Sequence, residues 1–465
     1  MTQKQFFITI LIITLCAIFL RLGISLPSLK NPDRLHRPDT ASYLVPARAL
    51  AEKGEYPPTR RPPGYPLLAA TVFRCGGGER ALGIVGTIFS GVITAIIGVA
   101  AWLYTGDKRC GIAAALLYSV NLTSIANSGL LLSDTFFAFF AALQFLFFIL
   151  FCQKREWKSF LATVIIAALG VLIRPINLLF IVVLLFLLAV IRNLPWQKKV
   201  AMAAVSIMLF SACIVPWMFR NHRCGASWCI DTNTGAMRHQ NGAMLLAEVK
   251  GTDFESEKKL LLEEEEKVFA DHAKYPDERS KEAWRNQQFR TMVSKHFFTY
   301  LRQHFTLKIL LPDLPSFFEV TGFTTGERGT MGVLKKYGLL AALENYFGPK
   351  YWLFLLISLP LLIPTGILYL GVLWKIILDI KQLKKYYFEL LILLAFGEYY
   401  LFLPGAITAP RYQLPALPVL CTLGGWVIIS LLYHHDKNKN DHSSGLRYCK
   451  SYRSGSFLQY RQDHS

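Results

Sequence analysis

Two acidic residues stand where a carboxylate could do chemistry at the edge of an apolar protein. Asp39 lies among prolines and basic residues, and Asp134 opens a long apolar run. A carboxylate can accept a proton from an attacking hydroxyl group. Asp and Ser also favour helix N-caps, so each acid could instead start a helix, the first over residues 40–53. The residue types leave both readings open, although an acid that enters a membrane usually faces a cavity or a partner.

Three arginines occur at the same ends of the apolar runs, and two more lie in the long loop on that side. Guanidinium groups bind phosphate oxygens through paired hydrogen bonds. Each arginine alone is also explained as an anchor at the membrane interface. Together they indicate an anionic ligand bound at one face. The set consists of Arg60, Arg61, Arg174, Arg220 and Arg411.

The elements that must position these residues are membrane-spanning helices. Of the 465 residues, 53% are apolar and 17% are charged, which excludes a disordered or ordinary soluble protein. Runs of roughly 20 apolar residues predict about ten transmembrane helices, with a range of ten to twelve. The first is expected to be a retained anchor rather than a cleaved signal peptide. The runs lie near 6–26, 81–104, 109–126, 131–151, 158–173, 175–192, 199–218, 351–376, 386–403 and 412–433.

Basic residues in alternate short loops predict the orientation. The loops near 108, 154, 192 and 381 are rich in Lys and Arg. The loops over 127–133 and 404–411 have a single Lys or Arg between them, which is Arg411. The positive-inside rule then places both termini in the cytoplasm and the arginines of the candidate site outside. This bias also accounts for the net charge of +19, so no nucleic-acid partner is expected.

The chain is predicted to have four parts. Residues 1–218 form an N-terminal transmembrane module whose first outer loop, 27–80, holds Asp39. Residues 219–348 form an outer segment in which 255–305 is expected to be amphipathic helix near the membrane surface. C-terminal transmembrane helices over 349–433 and a polar cytoplasmic tail over 434–465 follow.

The cysteines and histidines point to no metal centre or disulfide framework. The nine cysteines show no paired metal-ligand spacing. Cys224 and Cys229 flank four residues and could form a disulfide in an oxidising compartment or remain two free thiols. No P-loop is present, which disfavours ATP-driven transport by this chain.

The order and sidedness of these motifs resemble the GT-C superfamily of integral-membrane glycosyltransferases. The closest likeness is to the protein O-mannosyltransferases and lipid A aminoarabinose transferases, a glycosyltransferase family 39-like group. It covers roughly residues 1–220 and 350–433 and implies an all-α, polytopic GT-C-type helical bundle. The matching motifs are Asp39-Thr40-Ala41-Ser42-Tyr43, Arg61-Pro62-Pro63-Gly64-Tyr65-Pro66, Ser133-Asp134, Arg174-Pro175, Pro216-Trp217, Arg220-Asn221 and Arg411-Tyr412 with Pro415 and Pro418.

The resemblance implies a polyprenyl-phosphate-linked sugar donor and an inverting transfer to an acceptor hydroxyl. Asp39 matches the family's catalytic acid in the first loop, and Asp134 matches a second acidic position that is often Glu in relatives. The five arginines are the candidates for binding the donor phosphate, with Arg61 foremost. Tyr43, Tyr65 and Tyr412 are candidates for the sugar pocket. No cofactor or metal is expected to be required, although some relatives use a divalent metal.

Several alternatives remain at the level of sequence. The acceptor could be a glycolipid, a polysaccharide or a protein, and nothing in the sequence names the sugar. A lipid or solute transporter is the main rival function, but a transporter typically has polar or broken segments near mid-membrane. A non-catalytic subunit of an envelope complex is another, and it would need no acid at Asp39. The expected location is a bacterial inner (plasma) membrane with the active site at the outer face.

Overall fold

The protein is entirely helical throughout the part that the structure describes. This structure is a computed structural model, and it describes residues 1–58, 61–192, 194–232, 237–323, 330–349 and 351–439. The helices of the first half are α1 Gln3–Lys30, α2 Thr40–Lys53, α3 Gly64–Arg74, α4 Glu79–Thr105, α5 Lys108–Ser119, α6 Leu122–Ala126, α7 Ser133–Lys154, α8 Trp157–Val171, α9 Phe180–Val190 and α10 Trp196–Arg223. Those of the second half are α11 Ala243–Lys250, α12 Phe254–Phe269, α13 Glu278–Lys295, α14 Phe297–His304, α15 Leu314–Thr321, α16 Thr330–Phe347, α17 Tyr351–Lys381, α18 Leu383–Leu393, α19 Tyr399–Phe402 and α20 Leu417–Lys439.

The chain is a multi-pass membrane protein, and all ten predicted apolar runs contain helix. Six segments of the described chain are long and apolar enough to cross a membrane, and two shorter apolar helices lie at 157–171 and 175–190. This count is lower than the expected ten because several runs are broken. Asn121 caps a new helix inside the third run, and the Arg174-Pro175 turn separates the fifth run from the sixth. A π-helical stretch over Leu394–Glu398 interrupts the ninth run.

Close backbone packing brings the long helices together. At the crossing of α4 and α5, a Cβ on Gly111 would lie 2.5 Å from the carbonyl oxygen of Gly98, so only glycine fits there. The fully buried guanidinium of Arg21 bonds to five oxygens, with no acid among its partners. It therefore ties α1 to α4, α5 and α6.

The bundle has two distinct ends. Lys108 Nζ donates to the carbonyl of Met1, and Gln153 donates to the carbonyl of Leu103, so the basic loops near 108 and 154 gather at one end with residue 1. The loops that contain the predicted site residues gather at the opposite end. The first outer loop folds there into a short 3-10 helix over Pro32–Leu35 followed by α2 and α3.

The long segment after α10 packs largely on itself. The buried guanidinium of Arg238 contacts Glu264 at 2.5 Å and stacks 4.6 Å from the ring centre of Trp284. Glu265 joins the same cluster through Arg285 at 2.7 Å and His239 at 2.5 Å. Helices α12 and α13 are therefore held together by buried ion pairs. Cys224 and Cys229 are both free thiols in the structure.

Candidate functional site

Asp39 precedes α2 but does not act as its cap. Helix α2 begins at Thr40, as the capping interpretation predicts, yet the Asp39 side chain makes no capping hydrogen bond. Its carboxylate instead contacts Arg61 Nη2 at 2.9 Å and Arg411 Nη2 at 3.3 Å. The side chain is 45% exposed, whereas those of Arg61 and Arg411 are 18% and 20% exposed. Asp39 is thus an accessible carboxylate held between two largely buried cations.

Asp134 lies beside this pair at the start of α7. Its carboxylate forms an ion pair with Arg174 and lies 3.8 Å from Arg411 Nε. The residue that caps α7 is Leu132, which offers no side-chain hydrogen bond, so Asp134 occupies the first turn without capping it. An acid in the first turn is also favoured by the helix dipole. Asp134 therefore faces a specific cationic partner, as expected of an acid that enters a membrane.

The five charged groups form one continuous row. In order they are Arg61, Asp39, Arg411, Asp134 and Arg174. Three cations (+3) against two anions (−2) leave a net charge of +1. Four separate parts of the chain supply the groups: the first outer loop, the start of α7, the turn before α9 and the stretch before α20. The row is therefore a product of tertiary packing and favours an anionic ligand.

One guanidinium edge in the row is unsatisfied. Arg411 Nε is buried and has no hydrogen-bond acceptor among the described residues, since Asp134 is 3.8 Å away. A buried donor without an acceptor costs roughly 1–3 kcal/mol. A ligand oxygen at this position would remove that cost.

Aromatic rings surround the arginines. The guanidinium of Arg61 lies 4.7 Å from the ring centre of Tyr43, and those of Arg174 and Arg411 lie 5.1 and 5.4 Å from that of Tyr412. Tyr43 and Tyr65 meet edge to face at 5.4 Å, and both are buried. All three predicted pocket tyrosines thus lie at or next to the charged row. Burial raises the pKa of Tyr43, and the nearby cations offset only part of that shift, so its hydroxyl stays protonated.

One of the five predicted arginines, Arg220, is not part of the row. Arg220 donates to the carbonyls of Tyr56 and Pro57 at 2.7 and 2.9 Å and to Asn221, so it fastens the first outer loop to α10. Arg60 lies outside the described residues, as does most of the predicted tail, from residue 440 onward.

Further positioning residues emerge only from the structure. Ser42 Oγ accepts a hydrogen bond from Arg61 Nε at 2.9 Å and donates to the Asp39 carbonyl, so it fixes both groups. Ser133 Oγ donates to the Tyr43 hydroxyl at 3.0 Å. The i to i+3 spacing of Asp39 and Ser42 is the one sequence signal for the first of these roles.

A backbone contact places the first outer loop against the turn that holds Arg174. The Gly64 amide donates to the Leu172 carbonyl at 2.7 Å, and a Cβ at Gly64 would lie 2.8 Å from that oxygen. Only glycine allows this approach, which explains its place in the Pro-Pro-Gly sequence.

The predicted absence of a required metal stays a prediction. Among the described residues, no three or more His, Cys, Asp or Glu side chains are grouped so that they could hold a metal ion. Asp39 and Asp134 are instead neutralised by guanidinium groups.

The chain is similar to solved oligosaccharyltransferase structures at low identity. One is the Archaeoglobus fulgidus oligosaccharyltransferase AglB in complex with an inhibitory peptide and a dolichol-phosphate, with 14% identity and a TM-score of 0.46. Another is the same organism's oligosaccharyltransferase in the apo form, with 13% identity and a TM-score of 0.48. Each match covers 95% of this chain and 53% of the other, so the chain spans about half the length of these proteins.

The comparison with protein families finds one match in the first half of the chain. None of the curated proteins compared with it matches. Residues 60–219, which include Arg61, Asp134 and Arg174, match the family described as dolichyl-phosphate-mannose-protein mannosyltransferase. This match, over about a third of the chain, confirms the resemblance of that part to the family predicted from the motifs.

Proposed function

We propose that this protein transfers a sugar from a polyprenyl-phosphate donor to an acceptor hydroxyl at the outer face of the membrane, with inversion at the anomeric carbon. Asp39 is the base, and Arg61 and Arg411 bind the donor phosphate. The observation that carries the proposal is that the Asp39 side chain makes no capping hydrogen bond and contacts both of these arginines instead. A base next to a phosphate site is the arrangement that this reaction needs.

The reaction proceeds by a single displacement. Asp39 accepts the proton of the acceptor hydroxyl, whose oxygen forms a bond to the anomeric carbon. The bond from that carbon to the phosphate oxygen breaks, and the polyprenyl phosphate leaves with one additional negative charge. Guanidinium groups placed beforehand around the phosphate stabilise this growing charge in the transition state.

Donor phosphate and Asp39 compete for the same cations. Asp39 contacts one Nη2 group on each of Arg61 and Arg411. A phosphate that binds these groups displaces the carboxylate. The released carboxylate oxygens no longer contact guanidinium groups, so they can accept the proton of the acceptor hydroxyl. Donor binding therefore prepares the base.

The remaining site residues have supporting roles. Asp134 holds Arg174 and faces the buried edge of Arg411, so it orients the cations without contacting the sugar. Tyr43, Tyr65 and Tyr412 line the sugar pocket. Arg220 holds the first outer loop in place, and Arg60 is a further candidate for the phosphate. The segment over 219–348 selects the acceptor, which is a glycolipid, a polysaccharide or a protein.

The proposed location is a bacterial inner membrane with both termini in the cytoplasm. The structure supports this sidedness because the Lys- and Arg-rich loops and the charged row lie at opposite ends of the bundle. Cytoplasmic loops are the ones that collect Lys and Arg.

Lipid binding tests the phosphate site without knowledge of the acceptor. Purified protein would be mixed with polyprenyl phosphate, and bound lipid would be measured by native mass spectrometry. The wild type should bind it, and the R61Q/R411Q double variant should bind at least about tenfold more weakly, because two charge-assisted contacts are lost.

The matched control is R74Q, which changes an exposed arginine of the same outer loop. Arg74 donates only to the carbonyls of Leu50 and Ala51. It should bind lipid like the wild type. If the wild type binds no polyprenyl phosphate, or if all three proteins bind it equally, the proposed phosphate site is wrong.

A further inference from the structure

An apolar ridge is exposed at the site end of the bundle. It comprises residues 297–311, that is, α14 and the 3-10 helix over Leu307–Leu310 with the residues between and after them. Phe298, Phe305 and Leu307 are 83%, 73% and 79% exposed. Single exposed apolar residues are ordinary, but a contiguous set of large ones marks a surface that contacts another apolar phase.

The ridge is fixed to α19 and to the start of the candidate span Pro410–Leu432. The ring of Phe305 packs 4.9 Å from that of Phe402 at the end of α19, and the His304 ring hydrogen-bonds to the Phe402 carbonyl. The buried Gln413 side chain donates to the carbonyls of Ile309 and Leu311 at 2.9 and 3.1 Å. The exposed rings therefore lie level with the end of the hydrophobic bundle.

The charges of the ridge suit a lipid headgroup region. Its sequence contains Arg302 and Lys308 and no acidic residue, and Lys295 lies two residues before its start. Arg302 forms an ion pair with Glu248 of α11. Large apolar side chains interspersed with cations are typical of elements at the boundary between acyl chains and headgroup phosphates. Helix α12 differs because it carries four consecutive glutamates, Glu263 to Glu266.

We propose that residues 297–311 insert into the boundary region of the leaflet next to the charged row, and that phospholipid is the partner of the ridge. Continuity with the membrane segments favours lipid over a protein partner, because Phe402 and Gln413 hold the ridge against the bundle. The sequence predicted amphipathic helix near the membrane surface over 255–305. The proposed contact with lipid includes only the last part of that region, from residue 297, and continues to Leu311. Helices α12 and α13 are not part of the ridge and pair with each other through Glu265 and Arg285.

The insertion has a structural consequence for the row. Gln413 lies two residues after Arg411 in the same 3-10 helix, Pro410–Ala416. Lipid that holds the ridge therefore also steadies the stretch that presents Arg411.

Photocrosslinking in a bilayer tests the contact directly. The full chain, with p-benzoylphenylalanine in place of Phe298 or Leu307, would be placed in nanodiscs of phosphatidylethanolamine and phosphatidylglycerol and irradiated. Phospholipid adducts would be measured by mass spectrometry. The matched control carries the same group in place of Leu260, which is 55% exposed on α12. Both ridge positions should give about tenfold more lipid adduct than the control, as expected for side chains in the acyl boundary.

Equal labelling at all three positions overturns the proposal, and so does crosslinking of the ridge positions mainly to protein. The readout needs no substrate and no turnover. Failure of the glycosyl-transfer proposal would therefore leave this result unaffected.

Discussion

Asp39 illustrates how one carboxylate can satisfy two sequence interpretations until its partners are known. The helix that it was expected to cap begins where predicted, at Thr40. The side chain is nevertheless turned toward Arg61 and Arg411, which lie 22 and 372 residues away in sequence. In the contacts with the two arginines both partners are charged, whereas in a capping bond to a backbone amide only the carboxylate would be charged.

The variant D39N should separate binding from chemistry. Turnover should fall by at least about a hundredfold, because the base is lost. Affinity for polyprenyl phosphate should rise by roughly tenfold, since the amide no longer competes for the guanidinium groups. Native mass spectrometry measures the affinity, and transfer of radiolabelled sugar to membrane extract measures turnover.

The control for this prediction is D33N, an exposed acid in the same loop. It should leave both quantities unchanged. Weaker lipid binding by D39N would contradict the competition between Asp39 and the phosphate.

At the scale of elements, the site depends on how closely the first outer loop approaches the turn after α8. Gly64 is the first residue of α3, and its amide donates to the Leu172 carbonyl. This contact sets the separation between the loop that presents Arg61 and the turn that presents Arg174.

The variant G64A should reduce donor binding and turnover because its methyl group would force the loop away from the turn. A Cβ there would meet Leu172 O at 2.8 Å and Ile173 Cγ1 at 2.7 Å. Displacements of this size can cost about a hundredfold in rate. Turnover with the membrane extract is the measurement.

G23A is the matched control, since a Cβ at this helical glycine meets nothing within 4 Å. It should behave as the wild type. Full activity in G64A would show that the loop can shift without harm to the site.

The buried ion-pair cluster of α12 and α13 predicts a pH-dependent stability. His239 and Arg285 outweigh the opposing effect of burial and lower the pKa of Glu265 to about 2, from an ordinary value of 4.5. A carboxylate with a lowered pKa stabilises the fold above its unfolded-state pKa. That stabilisation is lost progressively as the pH falls from about 5 toward 2.

The variant E265Q should therefore melt several degrees below the wild type at pH 7, and the gap should narrow by pH 3. Thermal melting followed by intrinsic fluorescence measures both. E255Q, which changes an exposed acid of the same helix, should show no such gap. A constant gap across this range would mean that Glu265 is not the titrating group.

At the scale of the whole molecule, the separation of basic loops from the charged row predicts which cysteines are accessible on each side of the membrane. Cys75 and Cys224 are exposed on the site side. A membrane-impermeant maleimide should label them in spheroplasts. A cysteine introduced by K381C, in a basic loop at the other end, should react only after permeabilisation.

Mass spectrometry of the labelled peptides measures the result. Labelling of K381C in intact spheroplasts, with protection of Cys75, would reverse the proposed orientation.

The amino-acid sequence was enough to predict the membrane class, the family resemblance and most of the residues that lie near the site. These properties follow from local composition, from the sidedness of Lys and Arg, and from short motifs such as Arg61-Pro62-Pro63-Gly64. The expected helices over the apolar runs are present, although breaks near Asn121, Pro175 and the π-helix reduce the number of long spans. Composition and short motifs are sufficient to predict features that depend only on residues close together in the sequence.

Which charged groups contact each other depends on how the helices pack. Arg61, Arg411 and Arg174 join one row with the two acids, whereas Arg220 holds a loop. From the sequence, all four were candidates for binding the donor phosphate. The difference arises because an ion pair depends on distance in space, and helix packing sets that distance. Spacing along the chain does not contain this information, since the residues of the row come from four distant segments.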